Sequence, residues 1–125
     1  MSTFNGRYPY EAAVTAYGNG GFRFAEMSHK GSILCLPTGV FAWTPTDANA
    51  LSPSDFNQVF ADLEPPCTLL LGTGPAQIFM PADIERAFAS RGIGLEPMST
   101  GAAARTYNIM IAEKRRIGAA LIAVA

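Results

Sequence analysis

Two glycine-bearing stretches hold the residues best placed to do chemistry. Gly72-Thr73-Gly74 follows the apolar run Cys67–Leu71, and Ser99-Thr100-Gly101 opens a helical stretch carrying Arg105, Thr106 and Asn108. If the strands before these loops run parallel, both loops lie at strand carboxyl ends. Open α/β sheets take their ligands there, and helix amides face anions. Gly72, Thr73, Gly74, Thr100, Gly101, Arg105 and Asn108 therefore form a candidate crevice for a phosphate, a carboxylate or a peptide backbone. The competing reading is that small residues only let two tight strand-to-helix turns close. Neither loop is a nucleotide signature. Gly72-x-Gly74 lacks the third glycine of the dinucleotide fingerprint, and no Gly-x-x-x-x-Gly-Lys-Ser/Thr occurs.

His29 is the single histidine, so any Ser-His-Asp or Cys-His mechanism would have to use it. It sits beside Lys30 and Gly31 in what reads as a polar turn, where a solvated side chain is the simpler state. One histidine and two dispersed cysteines make no zinc-ligand spacing. No catalytic residue, metal or cofactor is expected. Cys35 and Cys67 lie in apolar contexts and read as reduced, buried thiols of an intracellular protein. Lys114-Arg115-Arg116 ends a helix, where cations complement the dipole, rather than marking an RNA or lipid site.

The elements that must position these groups follow from periodicity. Residues 1–11 read as a loose arm. Ala12–Tyr17 alternates as a strand, with Val14 and Ala16 on one face. The Gly18-Asn19-Gly20-Gly21 cluster is a tight turn, and Phe22 to Met27 a second strand. Ser28–Gly31 reads as another turn, Ser32–Leu36 and Val40–Trp43 as strands, and Thr44–Leu51 as a surface loop. Ser52-Pro53-Ser54-Asp55 starts a helix, with Phe56, Val59, Phe60 and Leu63 as its apolar stripe. A second helix opens at Pro81, presents Ile84, Ala87 and Phe88, and closes at Gly92. Ile93–Met98 is a strand, Thr100 caps a third helix, and Ala119–Val124 is a buried strand. The order strand, helix, strand, helix, strand favours parallel pairing with right-handed crossovers. The expected fold is layered α/β over residues 1–125 as one domain. It has a mixed central sheet, a parallel β-α-β-α-β C-terminal half, helices packed on the sheet and an N-terminal β-hairpin layer. Phe22, Arg23, Phe24 and His29, on or beside that hairpin, are candidate partner-binding residues, because an uncovered aromatic edge invites association.

Composition bounds the function. With 125 residues, 49% apolar and 15% charged, the chain can build a substantial core. A net charge of −1 gives no electrostatic case for nucleic acid. No apolar run is long enough to span a bilayer.

The stretches Tyr17-Gly18-x-Gly20-Gly21-Phe22-Arg23-Phe24, His29-x-Gly31-Ser32, Leu70-Leu71-Gly72-Thr73-Gly74, Gly92-Ile93-Gly94 and Thr100-x-Ala102-Ala103-x-Arg105-Thr106-Tyr107-Asn108, with Trp43, resemble the domain of unknown function 498 family. That group includes mitochondrial complex I assembly factor 3 and many small bacterial and archaeal proteins. The resemblance covers nearly the whole chain from about Ala12. It implies the Mth938-like α/β fold, and an assembly factor rather than an enzyme, with protein partners that include membrane-complex subunits. It supplies no catalytic residues. The N-terminus lacks an arginine-rich targeting pattern, so the expectation is a bacterial-type, cytoplasmic member, peripheral to the inner membrane through a partner, with homo-oligomerisation as a further option.

Overall fold

The computed structural model describes residues 4–125. Its central sheet has six strands, ordered β1-β6-β5-β9-β7-β8. These are β1 (Arg7–Tyr8), β5 (Ser32–Leu36), β6 (Gly39–Trp43), β7 (Cys67–Gly72), β8 (Ile93–Met98) and β9 (Ile117–Leu121). A separate three-stranded antiparallel sheet is made of β2 (Val14–Gly18), β3 (Gly21–Phe24) and β4 (Met27–Lys30). The described residues also form three α-helices, α1 (Asn57–Asp62), α2 (Ala82–Ala89) and α3 (Thr100–Ala112), and two short 3-10 turns at Ala48–Ala50 and Pro53–Phe56. The expected layered α/β fold with a mixed sheet and a hairpin layer is what forms.

β7 pairs parallel with both β8 and β9, while β9-β5-β6-β1 is antiparallel. The step from β7 to β8 and the step from β8 to β9 cross the sheet in opposite directions. Right-handed crossovers then place α2 and α3 on opposite faces. The cores agree. Ile84 and Phe88 of α2 join Leu34, Leu69 and Leu71 with Phe56 and Val59. Ala103, Ala104 and Tyr107 of α3 join Ile33, Cys35 and Leu70. Strand alternation sends Leu34 and Leu36 to one face and Ile33 and Cys35 to the other, so a strand buried on both faces reads as an unbroken apolar run. The three-stranded sheet lies on the α3 face, where Phe22 and Phe24 enter the core.

Several sequence expectations change. Part of the N-terminal arm is ordered: β1 pairs with β6, and Phe4 packs edge-on against Phe24 at 5.1 Å. Residues 1–3 of the arm lie outside the described residues. The supposed turn at Ser28–Gly31 is mostly strand β4; the reversal occurs at Ala25-Glu26 instead, with Ala25 at φ +51°. Ala16 is exposed rather than facing inward with Val14, because a β-bulge shifts the register between them. Ser99, not Thr100, caps α3, its Oγ accepting from the Ala102 amide at 3.3 Å. β9 starts at Ile117 and ends at Leu121, not Val124. Cys67 is half-buried, and both cysteines are free thiols.

The helix start at Ser52 and the packing of Trp43 match expectation. Asp55 accepts from the Ser52 amide at 2.8 Å, closing the predicted start, although its first turn is 3-10 rather than α. Trp43 is buried against Phe56 and donates Nε1–H to the Asp55 carbonyl at 2.8 Å.

The end of α3 holds a lysine where glycine is preferred. Lys114 sits at φ +59°, and the Arg115 amide donates to the Met110 carbonyl at 3.0 Å, a Schellman closure. The left-handed conformation costs a side-chain-bearing residue about 1–2 kcal/mol. Glycine's extra unfolded-chain entropy offsets roughly 0.5–1 kcal/mol of that. Lys114→Gly should therefore raise the unfolding free energy by about 0.5–1 kcal/mol in a denaturant titration. An unchanged or lower midpoint would show that Lys114 makes a compensating interaction.

Candidate functional site

The topological switch lies where β7 and β8 are adjacent but their following helices go to opposite faces, the usual place for a ligand crevice. Here the two loops are stitched together. The Thr73 amide donates to the Met98 carbonyl at 2.9 Å, and the Thr100 amide donates to the Gly74 carbonyl at 2.8 Å. The Gly74 amide donates in turn to Thr100 Oγ1 at 3.0 Å, and that hydroxyl donates to the Ile122 carbonyl at 2.7 Å. Thr73 Oγ1 donates to the Ala76 carbonyl at 2.6 Å and accepts from the Ile78 amide at 3.1 Å. Both threonines are buried. A Cβ on Gly72 would come within 2.9 Å of the Thr100 Cα, so glycine is what lets α3 start directly over β7. Gly72, Thr73, Gly74 and Thr100 therefore converge as expected, but onto one another. The hydroxyls of the two threonines are spent on backbone groups.

Asn108 is likewise committed. Its Oδ1 accepts from the Val14 amide at 2.8 Å and its Nδ2 donates to the Val14 carbonyl at 2.7 Å. This two-pronged bond ties α3 to the bulged edge strand β2. Edge backbone groups that would face solvent or another chain are satisfied from within.

Arg105 behaves differently. It is exposed, makes no ion pair with any described residue, and its Nη1 donates to the Tyr17 hydroxyl at 3.3 Å. That hydroxyl lies directly over Gly101, in space that any Cβ there would claim. The Gly101 amide is the one first-turn donor of α3 without a partner among the described residues, since Thr100, Ala102 and Ala103 all have one. A depression of about 360 Å³ opens here, bounded by Tyr17, Gly74, Pro75, Ser99, Gly101, Arg105, Val124 and Ala125. Three of the seven expected crevice residues, Gly74, Gly101 and Arg105, border it. Tyr17 was absent from the sequence-derived set. The bulge turns its ring away from the rhythm of the strand, and no local pattern encodes that.

The aromatic hairpin is not an exposed patch. Phe22 is 3% and Phe24 0% exposed, correcting the expectation that both could present themselves to a partner. The hairpin has a hydrophobic face, but that face is spent against α3 and β5. Arg23 points outward, as its alternation requires. His29 stands on β4 opposite Phe22, half-buried, with the Phe4 ring 5.0 Å away. Burial lowers its pKa, opposed by a backbone hydrogen bond at Ser32. No described serine, threonine or cysteine side chain hydrogen-bonds it. Among the described residues no three His, Cys, Asp or Glu side chains gather as a metal site. The large exposed apolar side chains are Tyr10, Tyr17, Phe79 and Ile109.

A six-stranded mixed sheet, flanked by helices on both faces and by a small antiparallel sheet on one, defines an Mth938-like α/β fold. It matches a Bordetella pertussis protein described as an Mth938-like domain with a TM-score of 0.76 at 30% identity, covering 98% of this chain and 92% of that one. A Bartonella henselae chain described as an outer membrane protein superposes with a TM-score of 0.88 at 40% identity, covering 94% of this chain and 99% of that one. Residues 14–122 match the family described as protein of unknown function (DUF498/DUF598), and the chain belongs to that family. An uncharacterised Rhodobacter capsulatus protein is 37% identical over 87% of this chain and 82% of its own length. NADH dehydrogenase (ubiquinone) 1 alpha subcomplex assembly factor 3 of Mus musculus is 28% identical over 98% of this chain. The chain spans 66% of that assembly factor's length.

Proposed function

We propose that the chain is a non-enzymatic binding factor in the assembly of a multi-subunit membrane complex of the NADH dehydrogenase class. The observation that carries this reading is the likeness to assembly factor 3, which runs through 98% of the chain and so through the layers described above. The site geometry is consistent with it. Thr73 and Thr100 spend their hydroxyls on backbone groups, and no described serine, threonine or cysteine side chain hydrogen-bonds His29. No helix among the described residues is long and apolar enough to cross a membrane, so contact with a membrane complex would run through a protein partner. The net charge of −1 gives no support to a nucleic-acid partner.

The test is affinity capture of the tagged chain from gently solubilised native membranes after mild cross-linking. Subunits of a respiratory NADH dehydrogenase should be retained above an untagged control. Retention of no membrane-complex subunit, with the protein folded, would overturn the reading.

A second reading rests on one observation: Arg105 and the Gly101 amide, neither paired to an acid, border the same depression. On that reading the chain binds a small anion. A bound ligand would raise the melting temperature of wild type and not of Arg105→Ala in a panel of phosphates and carboxylates. The absence of any shift in wild type would remove this alternative.

A further inference from the structure

The outer face of the three-stranded sheet holds a second depression, of about 270 Å³. Its form follows from the strand register. Gly18 pairs with Gly21, and Gly21 with Lys30, while Ala16 pairs with Arg23, and Arg23 with Ser28. Each set shares a face, and the two sets point outward. Two glycines and an alanine leave the floor as bare backbone, with Arg23 and Lys30 standing at its sides. The Lys30 ammonium donates to the Asn19 carbonyl at 2.6 Å, which holds it over the β2–β3 turn. Tyr17 borders this depression and the one beneath Arg105, so the two meet at its ring. No Asp or Glu side chain lines either hollow. Arg23, Lys30 and Arg105 make no ion pair with any described residue. Three cations thus lie around one exposed tyrosine, on a chain whose net charge is −1. Tyrosine and arginine are the residue types that dominate protein interfaces, and a positive face selects a negative partner.

We infer that this face docks an extended acidic segment of a partner protein. The segment crosses the Tyr17 ring and places carboxylates in both hollows, one toward Arg23 and Lys30 and one toward Arg105. Its backbone lies over the uncovered strand backbone at Gly18 and Gly21. The chemistry of the recognised group is a carboxylate-bearing side chain, not a free small anion, because the two hollows sit on either side of one ring and call for linked charges. This inference deepens the assembly-factor reading and rests on it.

The experiment uses fluorescence anisotropy with a labelled peptide alternating Glu and Gly, and a control of equal length with Gln for Glu. The acidic peptide should bind wild type in a salt-sensitive manner, and the Gln control should not. Arg105→Glu and Arg23→Glu should each weaken binding by about tenfold or more, the scale of a hot-spot loss. Arg86→Glu, on α2 across the central sheet, changes net charge equally and should leave binding intact. Equal loss in Arg86→Glu would reduce the effect to overall charge and overturn the surface. Tighter binding of free glutarate than of the peptide would also overturn it, in favour of a small-anion pocket. Circular dichroism of each variant confirms that it is folded. If the peptide fails while respiratory subunits are still captured, the docking face is wrong and the assembly reading stands. If no client is captured but the peptide binds at this face, the partner class is wrong and the face stands.

Discussion

Thr100→Val should lower the unfolding free energy by roughly 2–4 kcal/mol, a large part of the 5–15 kcal/mol typical of a domain. Valine keeps the shape of threonine, so the change is one of hydrogen bonding. The Thr100 hydroxyl donates to the Ile122 carbonyl and accepts from the Gly74 amide, and the residue is 0% exposed. Removing it strands two backbone groups at once, each costing about 1–3 kcal/mol when buried without a partner. Thr100→Ser keeps the hydroxyl, so it should recover most of the loss. Urea titrations of the three proteins, compared at constant slope, measure this. A valine variant as stable as wild type would mean that the closure between the two loops carries no weight.

The second large effect is expected at Asn108. Asn108→Leu removes both bonds to Val14, and Asn108→Asp replaces the donor with an acceptor facing the Val14 carbonyl. Each should destabilise by about 1–3 kcal/mol, with Asp the worse in neutral buffer, because two acceptors then oppose each other. The consequence reaches the surface. Val14 begins β2, and β2 carries Tyr17, so a loosened strand misplaces the ring over Gly101. Acidic-peptide binding should fall in Asn108→Leu although Asn108 is not part of the docking face. Hydrogen exchange at the Val14 amide should rise in parallel. Unchanged exchange at Val14 would show that the strand is held by its packing alone.

The legible and illegible parts of this chain differ for physical reasons. Cys67–Leu71 is legible because its Leu69-Leu70-Leu71 run is the mark of a parallel strand buried on both faces, and Ser52-Pro53-Ser54-Asp55 because a helix start uses local chemistry. The edge strand Ile93–Met98 carries Gly94, Glu96 and Pro97 and is legible only from its place between two helices. The switch point was legible as well, since small residues at two strand ends have few other uses. What those residues do there was not. A threonine that binds a ligand and one that binds Ile122 have the same sequence neighbours, and the decision depends on a carbonyl 22 residues away. Asn108 meets Val14 across 94 residues of chain, which no spacing rule reaches. Phe22 and Phe24 misled for a related reason. Alternation says that one face of a hairpin is apolar, but only the path of the whole chain says whether another layer covers it. Tyr17 was hidden by the bulge between Val14 and Ala16, an irregularity without a local signal.

The amount of assembled respiratory NADH dehydrogenase in native membranes, measured with and without this chain, decides whether it acts in assembly. Native gels developed for NADH oxidation, with re-expression of wild type and of Arg105→Glu, give the comparison. Loss of the chain should deplete the assembled complex or leave sub-complexes. Wild type should restore it and Arg105→Glu should restore it poorly. An undiminished complex in cells lacking the chain would contradict the assigned role.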